Sequence, residues 1–204
     1  MNKPTEPDAW ASLALADMRG WLERAVIGLN LCPFAKGVYA KAQVHFSVTM
    51  ATAPDELLAD LRRELIELVT LAPEARDTTL LIAPDCLPEF LDFNDFMHFA
   101  DQLLVDLDLE GTLQIASFHP QFQFAGTAAD DVTNCTNRAP YPTLHLLRED
   151  SIDRAVQAYP EAEAIYERNM EVLEQLGMPG WQTLEVGAGD GTAAAGSATT
   201  KGQA

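Results

Sequence analysis

The chain has 204 residues, with 13 lysines and arginines against 31 aspartates and glutamates, which gives a formal net charge of −18 at pH 7. This length predicts one domain whose core is large enough to fold without disulfides or a structural metal. The negative charge argues against nucleic acid and anionic membrane surfaces as partners, because both would repel the chain, and no apolar run approaches the ~18 residues that span a bilayer.

The N-terminus and the cysteines together indicate a cytoplasmic location. The first ten residues lack the basic and then apolar layout of a secretion signal. The three cysteines, Cys32, Cys86 and Cys135, are odd in number, far apart in sequence and form no CxxC pair. We therefore expect reduced thiols in a cytoplasmic protein.

The N-terminal part of the chain is predicted to be helical. Apolar residues recur at helical spacing over 9–29, and Asp8 is a suitable N-cap. Pro33 and Gly37 then stand where a short helical turn would start and end, which places Cys32 at its N-cap. Backbone N–H groups at that position would lower the pKa of the thiol. The alternative is a small buried cysteine at a helix corner.

Strands and helices alternate through the middle of the chain. The segment 43–50 alternates apolar and polar residues, which is typical of a half-buried strand, and a helix with a leucine stripe follows until Pro73. The apolar run 78–83 predicts a strand covered on both faces. A helix at 91–107 and a strand at 112–118 complete this part.

The C-terminal part contains one element whose pattern fits either a strand or a helix. Residues 143–147 have the pattern of a strand, although Pro142 could instead begin a helix. Two further helices are expected, one ending near Ala158 and one from Pro160 to Leu176, with Gly177 as its stop signal.

These elements predict an α/β fold, with α+β as the alternative. We expect a single-domain sandwich in which helices pack on a four- to five-stranded sheet. The expected boundaries are a disordered N-terminus at 1–8, one globular domain at 9–186 and a disordered, low-complexity tail at 187–204.

Candidate binding residues concentrate in the stretch 117–151. No lysine or arginine occurs from 77 to 137, so Arg138 is an isolated cation in an acidic region. A guanidinium in this setting either pairs with carboxylates or recruits an anionic ligand. Asn134 and Asn137 add donors beside it, and the following proline–tyrosine–proline segment holds the backbone rigid. Arg148 is a second candidate, although an arginine beside two acids is usually paired with them.

Two histidines of the same stretch are candidates for acid–base chemistry. His119 follows the strand predicted at 112–118, and ligand sites form at the carboxyl ends of strands in α/β sheets. The alternative is a structural histidine that is hydrogen-bonded to a nearby carbonyl. His145 and Cys32 could support His119, but no local motif marks a nucleophile. A zinc-type site built from Cys32, His119 and His145, or with Cys135, lacks paired-ligand spacing, so no metal is assigned.

Four strings, NLCPFAKG, ASFHPQFQFAGT, TNRAPYPTLHLLRED and YERNMEVLEQLG, together resemble a family of uncharacterised bacterial proteins classed as a domain of unknown function. The resemblance covers about Trp10 to Gly177. It implies a bacterial, soluble, single-domain protein and supplies neither a reaction nor a cofactor. Six candidate residues fall inside these strings, namely Cys32, His119, Asn137, Arg138, His145 and Arg148.

The leading hypothesis is an enzyme that acts on a small anionic metabolite. Its catalytic residues would be His119, His145 and Cys32, and its substrate-binding residues would be Arg138, Asn137, Arg148 and Asn134. One alternative is a zinc-type metal-binding protein that uses histidine and cysteine. Another is a non-catalytic interaction module, in which the proline–tyrosine–proline segment and its aromatic neighbours form a partner surface.

Overall fold

The computed structural model describes residues 7–158 and 164–187. Most of the termini that were expected to be disordered, namely 1–6 and 188–204, lies outside the described residues. The predicted helix start at Pro160 also lies outside them. Within the described ranges, the six α-helices α1 to α6 span Pro7–Trp21, Ala35–Ala40, Pro54–Thr70, Phe90–Asp106, Glu149–Ala158 and Ile165–Gln182. The strands β1 to β4 span Val44–Val48, Thr78–Ile82, Leu113–Phe118 and Thr143–Arg148.

The four strands form one mixed sheet in the order β1-β2-β4-β3. Strands β1 and β2 are parallel and are joined through α3, whereas β4 is antiparallel to both of its neighbours, β2 and β3. Because β2 is central and covered on both faces, all five of its residues are buried, which confirms the prediction from its continuous apolar run. The α/β class and the strand at 143–147 are also confirmed.

Helices cover the sheet on both faces. The leucine stripe of α3 and the aromatic residues of α4 pack on the face that carries Leu81, Leu144 and Leu146. The other face carries Leu80 and Ile82 and packs against α1 and the π-helical segment Leu22–Ile27 that continues it. No helix in the described part of the chain is both long and apolar enough to cross a membrane.

Two predicted helix boundaries are wrong, and the predicted break at Gly177 is confirmed. Helix α1 begins at Pro7, within the segment expected to be disordered. The turn after Cys32 is not yet helical, so α2 begins at Ala35 and passes through Gly37 instead of ending there. Gly177 adopts a positive φ of 64°, which breaks the geometry of α6 as a stop signal should, but the chain resumes helical structure as far as Gln182.

Candidate ligand-binding cavity

A cavity of about 460 Å³ lies between the sheet, the π-helical segment, α2 and α5. Its wall is mainly apolar and includes Trp21, Leu22, Val26, Val38, Leu80 and Phe118. The strand residues that line it are Val44, Thr78, Leu80, Ala116, Phe118, His145, Leu147 and Arg148. Val44 and Thr78 are the first residues of β1 and β2, so the cavity lies toward the amino ends of these strands. The sequence pointed instead to the carboxyl ends, where His119 follows β3.

His145 presents a hydrogen-bond acceptor to this cavity. Its Nε2 lies 2.7 Å from Oγ1 of Thr78, and that hydroxyl donates its only proton to the carbonyl of Leu146 at 2.6 Å. The hydroxyl must therefore accept from the imidazole, which places the ring proton on Nε2 and leaves Nδ1 as an acceptor. The ring is half-buried and lines the cavity. Nδ1 has no hydrogen-bond partner. In the described residues the only buried side-chain N or O atom without a partner is Thr79 Oγ1, so Nδ1 is not buried and faces open space.

Burial lowers the pKa of His145 from 6.5 to about 4. The lowering follows from desolvation, because charging a ring that is partly shielded from bulk water by apolar walls is unfavourable. At neutral pH the side chain is therefore a neutral imidazole, and Nδ1 carries a lone pair rather than a proton.

Acidification is expected to destabilise the wild-type protein more than a His145→Gln variant. The pKa is 6.5 for the unfolded histidine and about 4 for the folded one, so below pH 6.5 only the unfolded chain takes up this proton. The contribution of His145 is complete above pH 6.5 and falls by about 2 kcal/mol at pH 5, continuing toward pH 4. Urea unfolding at pH 7 and pH 5 measures the difference. The control is His98→Gln on the exposed side of α4, which should follow the wild type, and equal losses in wild type and His145→Gln would contradict the neutral imidazole.

Cys32 lines the same cavity as a protonated thiol. Backbone N–H groups of Phe34 and Ala35 lower its pKa, but burial raises it more, and the net shift is upward. The expected helix N-cap is not there, since Phe34 takes that position in α2. The predicted lowering of the Cys32 pKa is therefore wrong.

Three charged residues line the cavity, and two of them already have hydrogen-bond partners. Arg148 donates to the carbonyls of Leu68 and Leu71 at the C-terminal end of α3 and to that of Arg76 in the loop that follows. Asp77 accepts a hydrogen bond of 2.6 Å from the hydroxyl of Ser151. Lys41 is exposed and forms no ion pair or hydrogen bond with another side chain in 7–158 or 164–187.

His119 lies outside the cavity and is fully buried, with 0% exposure. Its Nε2 donates to the carbonyl of Leu87, and its Nδ1 accepts from the backbone N–H of Gln121, both at 3.1 Å. The ring packs against Phe90 and Phe93, with centroid distances of 5.6 and 5.2 Å. Both ring nitrogens are engaged by backbone, so the geometry favours the structural alternative over a role in proton transfer.

Asn134 is bound within the loop between β3 and β4. It is fully buried, accepts from the N–H of Phe124 and the hydroxyl of Thr127, and donates to the carbonyl of Ala128. These bonds occupy the amide that the sequence offered as a substrate ligand, so its observed role is to hold the loop.

Arg138 and Asn137 also bind backbone carbonyls. The Arg138 guanidinium donates to Phe122 at 3.1 Å and to Ala129 at 2.6 Å, and the Asn137 amide donates to Ser117 at 3.2 Å. Neither residue lines the cavity. The two arginines of the predicted site therefore both bind backbone, although in different parts of the fold.

The structure brings together three of the seven candidate residues, Cys32, His145 and Arg148. It adds Lys41 and Thr78, which sequence reasoning missed because a lysine after a short helix and a threonine in an apolar strand carry no distinctive signal. In the described part of the chain, no three histidine, cysteine, aspartate or glutamate side chains converge as metal ligands would.

The proline–tyrosine–proline segment is buried rather than displayed. Tyr141 is 5% exposed and donates its hydroxyl proton to Asp17 at 2.7 Å. Its two flanking prolines are also buried. This segment therefore does not form a flat, exposed surface for a partner.

Comparison with protein families matches residues 14–183 to a model described as a protein of unknown function (DUF1415). Comparisons with curated proteins and with solved structures found no match.

Proposed function

Because the chain belongs to the DUF1415 family, whose description assigns no activity, we propose from the cavity alone that the protein binds a small, largely apolar molecule. The ligand places a hydrogen-bond donor, such as a hydroxyl or an amide N–H, against Nδ1 of His145. This proposal moves the site from the loop between β3 and β4 to the face of the sheet that carries Leu80 and His145.

The observation that carries the proposal is an acceptor without a partner in an apolar cavity. An imidazole nitrogen that faces apolar walls is poorly solvated, so a donor from a ligand gains a hydrogen bond that the empty cavity does not provide. The volume of about 460 Å³ falls within the roughly 300–1,000 Å³ of small-molecule sites, which are mainly apolar with a few orienting polar groups. Both features support binding of a small molecule.

The same chemistry favours binding over the enzyme of the leading hypothesis. With a pKa of about 4, His145 is a weak base at neutral pH. Cys32 is a protonated thiol, because burial raises its pKa. These two side chains are therefore better suited to orient a bound ligand than to act as a base or a nucleophile in a reaction.

The cellular location remains part of the proposal. Cys32, Cys86 and Cys135 are all free thiols, and reduced cysteines are typical of proteins that work in a reducing cytoplasm. This pattern supports the cytoplasmic location predicted from the sequence, whereas the bacterial source rests on the family resemblance alone.

An Ala116→Phe variant is expected to lose binding of an uncharged probe, 1-octanol, by at least tenfold. Ala116 lines the cavity and is the cross-strand partner of His145, so a phenyl ring at this position fills the space beside Nδ1. Isothermal titration calorimetry of wild type and variant measures the affinities. The matched control is Gln114→Phe, which adds the same ring two residues earlier on the same strand, at an exposed position outside the cavity.

The methyl ether of octanol tests the hydrogen bond to His145. It has a similar apolar body but no donor, so we expect it to bind about fivefold to tenfold more weakly than octanol to the wild type. Undetectable octanol binding, or equal octanol affinity in wild type and Ala116→Phe, would refute the proposed cavity ligand. Equal affinities for octanol and its ether would refute the role of Nδ1.

A further inference from the structure

The charges that line the cavity differ in sign from the chain as a whole. Lys41 and Arg148 contribute two positive charges and Asp77 one negative charge, so the lining carries +2 − 1 = +1 while the chain carries −18. A local excess of positive charge in an acidic protein favours an anionic ligand over a cationic one at this position.

Only one of these cations is free to bind an anion. Arg148 donates to three carbonyls around the end of α3. Lys41, in contrast, directly follows α2 and has an exposed side chain and no side-chain partner in the described ranges. Lys41 both lines the cavity and is exposed, which fits a lysine whose apolar stem lies along the cavity wall and whose ammonium stays in water.

The lone pair on His145 determines which way an anion is oriented. A carboxylate beside Nδ1 would set an acceptor against an acceptor inside an apolar wall, where an uncompensated charge is strongly disfavoured. At the exposed Lys41, the same carboxylate keeps part of its hydration and gains an opposite charge. The inner end of the ligand therefore carries the neutral donor, and the outer end carries the charge.

We propose that the ligand is an amphipathic monoanion, with its acidic group at Lys41, an apolar body in the cavity and a neutral hydrogen-bond donor at His145. A medium-chain acid with a hydroxyl at its far end has this layout. This inference rests on the proposed function, because it names the class of molecule that occupies the same cavity.

The test compares octanoate, its ω-hydroxy analogue and 1-octanol by calorimetry on wild type and a Lys41→Gln variant. Octanoate should bind Lys41→Gln about fivefold more weakly than wild type, because one partly solvated ion pair is lost, while octanol affinity stays unchanged. The ω-hydroxy acid should bind wild type more tightly than octanoate. Added salt should weaken octanoate binding and spare octanol.

The matched control is Lys36→Gln, which removes an exposed lysine of the same helix that does not line the cavity. Its octanoate affinity should equal that of the wild type. Octanol binding combined with octanoate binding that is indifferent to Lys41→Gln would overturn this inference and leave the proposed function standing. Failure of octanol itself to bind would overturn both.

Discussion

An Arg148→Met variant is expected to lose about 4 kcal/mol of unfolding free energy, since it leaves the carbonyls of Leu71 and Arg76 without a donor and leaves that of Leu68 with only the N–H of Leu71. The guanidinium donates to Leu68 and Leu71 at 2.5 and 2.7 Å and to Arg76 at 3.1 Å. The last carbonyls of a helix have no partner within it, and a cation there also interacts favourably with the helix dipole. Methionine retains an apolar stem but cannot donate, and urea unfolding at pH 7 measures the loss.

Two further variants separate this role from a general effect of charge. Arg148→Lys should recover only part of the loss, because lysine keeps the positive charge but has no second donor in the position of Nε, which also donates to Arg76. Arg154→Met should cost less than about 1 kcal/mol, because its exposed guanidinium binds the hydroxyl of Ser151. A stable Arg148→Met protein that no longer binds octanoate would instead return Arg148 to the ligand-binding role that the sequence suggested.

Periodicity in the sequence was sufficient to predict the main elements of the fold. In α3, Leu57, Leu61, Leu65 and Leu68 recur at helical spacing, and all four are fully buried. The run in β2 has no polar alternation, as expected for a strand that lies between two helical layers. These patterns are local, and each reports which side of an element faces the core.

The site depends on distant contacts that periodicity does not contain. His119 and His145 stand in similar sequence surroundings, next to apolar residues near a strand. They differ because Leu87 and Gln121 bind both nitrogens of His119, whereas Thr78 binds only one nitrogen of His145. Of the four ring nitrogens, two have partners more than 30 positions away, Nδ1 of His119 accepts from the nearby Gln121, and Nδ1 of His145 faces open space.

The partners of Arg148 were also not predictable from neighbouring residues. The acids beside it in sequence suggested an ion pair, but its observed partners are carbonyls more than 70 residues earlier in the chain. Backbone carbonyls are identical at every position, so sequence alone does not show where a helix end will need a donor. The cavity was missed for a related reason, since it is bounded by four strands and helices from both ends of the chain.

A His119→Ala variant is expected to lose about 4 kcal/mol of unfolding free energy. The substitution removes a fully buried ring from between Phe90 and Phe93. It also deprives the carbonyl of Leu87 and the N–H of Gln121 of their partner. Urea unfolding measures the loss, and His98→Ala on the exposed side of α4 should change stability by less than about 0.5 kcal/mol.

Ligand affinity of the folded fraction distinguishes a structural His119 from a functional one. Because His119 does not line the cavity, native His119→Ala should bind octanol as the wild type does, measured at a temperature well below its unfolding transition. His145→Ala should show the opposite pattern, with weaker octanol binding, because it removes Nδ1 from the cavity wall. A stable His119→Ala protein with impaired octanol binding would show that the loop between β3 and β4 takes part in recognition, and the site would then extend across the sheet to its carboxyl edge.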